Sequence, residues 1–268
     1  MISMLQTVAK NVSYIKNTYQ YLSQTNDLSP HNEEVNKRLA DFVSTLSLLQ
    51  GKDIGQELLM TPELSEERNK LPGLCALAEC EMEKFWTKRL LKNKALKNGG
   101  LRDFWYFDHY KNLCDAEWAL TDIKSYDSVS FLGSGALPLT AYFATQKCPE
   151  AEIKCVDCDC NACDLAVDLV DALGLSNRIE IIQSYATDYK PGDRELVICA
   201  SLLTDRPDLY QALNKNDVSS LLIRDAEDIY QFLYKAAETP DSNFEFIRKT
   251  KPTPERINTS LFYQRKVA

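Results

Sequence analysis

The sequence predicts an α/β chain in which a helical bundle domain precedes a doubly wound, mostly parallel sheet. Three observations predict it. Apolar residues recur at helical spacing through the first half with no strand-like run between them. From Ser128 onward, short β-rich runs alternate with helical ones. Two further strand-like runs close the chain.

In the first half, Val35, Leu39, Phe42, Val43, Leu46 and Leu49 fall at spacings of three and four, with Pro30 before them and Gly51 after. A second helical pattern, LCALAECEMEKFWTKRLLKNKAL, follows Pro72-Gly73 and ends before Gly99-Gly100. A third runs from about Leu101 to Leu120, so residues 1–123 read as a helical domain. In residues 124–268, VSFLG (strand) leads to PLTAYFATQKC (helix), then EIKCVD, NACDLAVDLVDALG, RIEIIQ, ELVICAS, a helix near Pro207–Asn214, VSSLLIR and the helical AEDIYQFLYKAA. Strands and helices alternating at this length imply right-handed crossovers and a parallel sheet. FEFIRKT and SLFYQRK, separated by KPTPE, form the terminal pair typical of a Rossmann-like, class I methyltransferase-type domain.

Composition narrows the function. Hydrophobic residues make up 44% and charged residues 26%, the proportions of a soluble globular chain. A net charge of −8 argues against a nucleic-acid partner, which needs a basic footprint. No run of about 20 apolar residues is present, which argues against a membrane partner. The first twenty residues lack the apolar core of a signal peptide, so the nine cysteines read as reduced thiols of a cytoplasmic protein.

The first strand of the second half ends in Gly133-Ser134-Gly135, and a helix follows. Glycines at that position let a ligand approach the backbone without a Cβ clash, at the strand ends where open α/β sheets bind ligands. The second strand ends in Asp157, whose carboxylate can accept both hydroxyls of a ribose. A GxG alone also fits a simple tight turn; with the acidic residue it points to a nucleoside cofactor. NAD is disfavoured because Pro138 stands where a third glycine would open a helix N-terminus to a pyrophosphate. S-adenosylmethionine, which carries no phosphate, fits better.

FLGSGALPLT (Phe131 to Thr140) resembles the F-x-G-S-G-P-L-P-L-T signature of nicotianamine synthases and their bacterial opine-metallophore relatives, departing at Ala136. YFDHY (Tyr106 to Tyr110), LLIRDAEDIYQFLY and RINTS (Arg256 to Ser260) resemble further segments of the same family, in the same order. The likeness spans about Cys75 to Ser260. It implies an S-adenosylmethionine-dependent aminobutanoyltransferase. Such an enzyme moves the donor's 3-amino-3-carboxypropyl arm, rather than its methyl, onto an amine and releases methylthioadenosine. The short chain resembles the histidine-using bacterial enzymes of metallophore biosynthesis, so histidine is the first choice of amino-acid substrate. A true nicotianamine synthase condensing three donor molecules is the alternative, and a non-catalytic cofactor-binding protein a remote one. A homodimer and a downstream opine-type dehydrogenase are the protein partners this implies.

The resemblance implies roles residue by residue. Glu83, in CEMEKFWTKRLL, is the candidate general base for the protonated amine, against the bland reading of a solvated surface carboxylate; Glu79 and Glu81 compete if the register slips. Tyr106 and Tyr110 are candidates for orienting the amine, or else for packing the bundle. The donor would be held by Gly133, Ser134, Gly135, Leu137, Pro138, Asp157 and Cys158, with Tyr185 and Ala186 near the adenine and Ala200 and Ser201 lining the pocket. Arg224 is a candidate carboxylate clamp, or a structural ion pair. Tyr234, Asn258 and His109 complete the substrate list; Asn258 and Ser260 suit a plain turn equally well, and His109 an exposed position. Cys155, Cys158, Cys160 and Cys163 form C-x2-C-x-C-x2-C, which invites a zinc reading. The strand and helix they occupy favour small buried thiols instead, so no metal ligand is assigned.

Overall fold

The computed structural model describes residues 4–93, 96, 99–203, 206–240, 242–250, 253 and 256–266. Most of the KPTPE segment therefore lies outside the described residues. The chain forms two compact units. The first comprises Met1–Met82, Asp225–Ala236 and Thr253–Asn258; the second comprises Glu83–Arg224, Ala237–Pro252 and Thr259–Ala268. The units are thus interleaved along the chain instead of meeting once at 123/124.

The first unit is helical: α1 (Met4–Gln24), α2 (Glu33–Leu49), α3 (Asp53–Met60) and the start of α4 (Ser65–Leu91). The Asn32 side chain caps α2 by accepting the Val35 N–H at 3.3 Å, and Val35, Phe42, Leu46 and Leu49 are buried, as their spacing predicts. Helix α4 passes straight through Pro72 rather than starting after it. Leu71 and Cys75 are buried on either side, so packing outweighs the hydrogen bond that the proline removes.

The helix expected over AEDIYQFLYKAA is a correction. Only a 3-10 turn forms, Asp228–Phe232. Ala226, Ile229, Tyr230, Phe232 and Leu233 are all buried in the core of the first unit, which leaves no polar face for a surface helix. Asp228 takes a left-handed φ of 55° and its carboxylate accepts the Gly51 N–H at 2.5 Å and the Gln56 amide at 2.7 Å. This packing explains the interleaving: the segment after the fifth strand completes the helical core.

The second unit holds β1 (Ser128–Leu132), β2 (Glu152–Asp157), β3 (Ile179–Gln183), β4 (Glu195–Cys199), β5 (Ser220–Asp225), β6 (Phe244–Lys249) and β7 (Thr259–Arg265). They form one sheet in the order β3-β2-β1-β4-β5-β7-β6. The pairs among the first five strands are parallel, and β6 with β7 is antiparallel. Helices α5 (Phe107–Thr121), α6 (Leu139–Lys147), α7 (Cys160–Ala172) and α8 (Arg206–Lys215) accompany it. β1 and β4 are buried along their whole length, as central strands of a doubly wound sheet must be. This is the predicted Rossmann-like, class I methyltransferase-type fold with its helical N-terminal part. Strand order reverses between β1 and β4, and the carboxyl ends of strands at such a reversal are where open α/β sheets bind ligands. No helix among the described residues is long and apolar enough to cross a membrane.

Candidate active site

The site is built on that reversal, within the second unit. β1 runs into Gly133-Ser134-Gly135, where Gly133 and Gly135 have φ of 75° and 66°, left-handed values that side chains other than glycine rarely adopt. The turn is held from below: the Gly133 and Ser134 N–H groups donate to the Val156 carbonyl at 2.8 and 3.2 Å. It is also held from the side, where the Gly135 N–H donates to Asp157 Oδ2 at 2.8 Å. A Cβ on Gly133 would press on Ala200 Cβ at 3.1 Å and on the Leu203 side chain at 3.2 Å. Four strand ends therefore converge: Gly133 after β1, Asp157 closing β2, Tyr185 after β3 and Ala200 after β4. Leu137 and Pro138 follow the turn, buried, with Pro138 at the N-cap of α6. Ala200 and Ser201 are buried as well. Tyr185 is 68% exposed, Cys158 is exposed and Ala186 half-buried, so the segments after β2 and β3 reach solvent.

Asp157 uses one oxygen on Gly135 and the other on the Asp159 N–H at 2.9 Å. Each carboxylate oxygen retains a lone pair, which suits the two hydroxyls of a ribose. The cradle of left-handed glycines and the oriented carboxylate fit a nucleoside.

Glu83 is brought to this turn. Its carboxylate lies so close to Gly135 that a Cβ there would collide with Oε2 and stand 3.0 Å from Cδ. Thr87, one helical turn further along α4, donates to the Ala136 carbonyl at 2.9 Å in a buried contact. Lys84 pairs with Asp159 at 2.7 Å. Asp159 in turn caps α7, its Oδ1 accepting the Asn161 and Ala162 N–H groups at 2.9 and 3.3 Å. That pairing with Lys84 is the first cause holding the Asp159 carboxyl below the usual carboxylate range. Thr87 was legible in the sequence as the i+4 neighbour of Glu83; the Lys84–Asp159 pair had no sequence signal, because only the fold joins these segments.

Tyr106 and Tyr110 come together, ring centroids 5.8 Å apart and edge-on, although Tyr106 is the N-cap of α5 and not part of its body. His109 stacks on Tyr106 at 4.6 Å, which the expectation of an ordinary exposed histidine did not contain. Phe104 and Trp105 extend the cluster, and Trp86 of α4 packs on Phe104 at 5.5 Å.

Arg224 takes the ion-pair alternative left open by the sequence. It is buried; its Nε and Nη2 donate to the two oxygens of Glu117 at 2.9 Å each, and Nη2 also donates to Thr140 at 2.9 Å. Ser260, for which the sequence leaves a substrate contact and a plain turn role both open, donates to Glu117 at 2.7 Å. Burial disfavours the guanidinium charge, but Glu117 outweighs it and holds Arg224 more firmly protonated than usual. The residue is thus the structural ion pair, with its carboxylate partner supplied by the protein. Tyr234 and Asn258 belong to the first unit, where Tyr234 donates to Glu79 at 2.9 Å. The cysteine cluster is split between strand and helix: Cys155 and Cys163 are buried, Cys158 and Cys160 exposed. Among the described residues no three His, Cys, Asp or Glu side chains are placed to hold a metal ion.

The family model for nicotianamine synthase protein matches residues 4–268. The chain belongs to the nicotianamine synthase family. Solved structures agree on the fold. A glutamate-to-glutamine mutant of MtNAS in complex with S-adenosylmethionine superposes with a TM-score of 0.82 at 16% identity, covering 95% of this chain and 98% of that one. MtNAS in complex with MTA and tNA gives a TM-score of 0.82 at 15% identity, covering 98% of both chains. The same mutant without a named ligand gives 0.81 at 14%, covering 97% of both. A search of curated protein sequences finds no match.

Proposed function

We propose that this member of the family is an S-adenosylmethionine-dependent aminobutanoyltransferase, which moves the donor's 3-amino-3-carboxypropyl arm onto the amine of an amino acid and releases methylthioadenosine. The observation that carries the reading is the contact of Glu83 with the Gly133–Gly135 turn. A carboxylate on the loop that would cradle the donor is a base beside the reacting centre. Structures of relatives with S-adenosylmethionine, and with MTA, support the choice of donor.

In this reading Gly133, Ser134 and Gly135 offer backbone to the donor, and Asp157 accepts its ribose hydroxyls. Leu137, Pro138, Ala200 and Ser201 wall the pocket, while Cys158, Tyr185 and Ala186 flank its open side. Bound there, the donor supplies a carbon activated by the sulfonium; as the acceptor nitrogen bonds to it, the C–S electron pair leaves with methylthioadenosine. Glu83 accepts the proton that the ammonium form of the acceptor must lose before it can attack. Tyr106 and Tyr110 orient that amine, and His109 sets the Tyr106 ring by stacking on it.

Histidine is the proposed acceptor, in a metallophore pathway of the cytoplasm in which a downstream dehydrogenase consumes the product. The second reading, condensation of three donor molecules, is favoured by the nicotianamine synthase relatives themselves. Incubation with S-adenosylmethionine and a panel of amino acids, followed by mass spectrometry, separates the two. An aminobutanoyl adduct of histidine supports the first, and a product formed from the donor alone supports the second. Release of S-adenosylhomocysteine, the mark of methyl transfer, would overturn both.

A further inference from the structure

We infer that Lys84 is a positioning residue: through Asp159 it ties the base-bearing helix to Asp157, the carboxylate that holds the donor, so that binding of the donor and placement of Glu83 are one event. The inference deepens the reading above and rests on it. The contacts close a ring. Glu83 meets the glycine turn; the Gly135 N–H donates to Asp157 Oδ2; the Asp159 N–H donates to Asp157 Oδ1; Asp159 Oδ2 receives Lys84 Nζ; and Lys84 is the next residue after Glu83.

Consecutive residues point about 100° apart around a helix, so Glu83 and Lys84 leave α4 toward different partners. One meets the turn after β1, the other the turn after β2, and together they brace α4 in rotation as well as in position. Thr87 bonds to the same loop at Ala136 and fixes the helix along its axis. The Lys84 side chain is 17% exposed and that of Asp159 38%, so the pair is partly screened from water. Asp159 is already committed to capping α7 through Oδ1, and Lys84 takes the oxygen that remains. A ribose gripped by Asp157 therefore stiffens the segment that Lys84 holds, and with it the carboxylate of Glu83.

The test is a double-mutant cycle on binding and turnover. Methylthioadenosine, which carries the ribose but lacks the amino-acid arm, is titrated by calorimetry into wild type, Lys84→Met, Lys84→Arg, Asp159→Asn and the Lys84→Met/Asp159→Asn pair. Asparagine still caps α7, so Asp159→Asn removes the ion pair while keeping the helix start. Each single loss of the pair should weaken binding roughly tenfold, the value of one charge-assisted hydrogen bond, and the double mutant should be no worse than either single one. Lys84→Arg should restore most of the affinity, and kcat should fall along with affinity in Lys84→Met while the melting temperature without ligand stays within a few degrees. Unchanged affinity in Lys84→Met, strictly additive losses, or a melting temperature that falls in step with affinity would each overturn the inference alone. Failure of the wild type to bind methylthioadenosine would remove the donor reading, and this inference with it.

Discussion

At the scale of single residues, the site turns on the contact between Glu83 and Gly135. Glu83→Gln keeps size and hydrogen bonding but removes the proposed base, so turnover should fall by roughly 10²-fold or more while calorimetric affinity for S-adenosylmethionine stays within about threefold. A near-normal rate would take Glu83 out of that role. Gly135→Ala has two costs: a left-handed backbone strained by about 1–2 kcal/mol and a methyl group driven into the Glu83 carboxylate. Gly133→Ala shares the first cost but meets only side chains, at 3.1–3.3 Å. Gly135→Ala should therefore lose far more activity than Gly133→Ala at similar melting temperature; equal activity losses would mean that the glutamate contact is irrelevant to turnover. Asp157→Ala should weaken methylthioadenosine at least tenfold by calorimetry, since it removes the proposed ribose acceptor and unties the glycine turn.

At the scale of elements, Glu117 of α5 gathers β5 through Arg224 and β7 through Ser260, and Arg224 in turn donates to Thr140 of α6. The cluster is fully buried, and the Arg224 guanidinium also lies over the Phe131 ring of β1 at 4.9 Å. Glu117→Ala strands a buried cation and should destabilise the second unit by roughly 3–5 kcal/mol, read as a large drop in melting temperature. A variant that melts like the wild type would show that the pair carries no such burden. The carboxylate-clamp reading of Arg224 rested on its position after an apolar strand, which made a buried arginine in need of an anion legible. What was not legible was that the anion is Glu117, 107 residues earlier in the chain.

At the scale of the whole molecule, the nine cysteines report on packing. Burial pushes the thiols of Cys75, Cys114, Cys155 and Cys199 up to about 12, so at pH 8 they are scarcely ionised. Cys158 and Cys160 are exposed. Thiol labelling of the native protein at pH 8 should modify those two first and reach the four buried ones only on unfolding, with mass spectrometry locating the adducts. Rapid native labelling of Cys155 would contradict its place in the centre of β2. Two interleaved units also mean that the chain cannot be cut at 123/124 without removing Ile229, Tyr230 and Phe232 from the helical core.

Local pattern by itself determined the sheet, its terminal antiparallel pair, the buried faces of the early helices, the glycine turn and the acidic end of β2. Each of these depends on residues close together in the chain: a period of two or 3.6, or a glycine where the backbone must turn left-handed. Tertiary structure alone decided that AEDIYQFLYKAA would not be a helix, that Arg224 would meet Glu117, and that Lys84 would join Asp159. Those outcomes come from burial and charge pairing between distant segments, whose energies exceed local propensity and leave no trace in spacing.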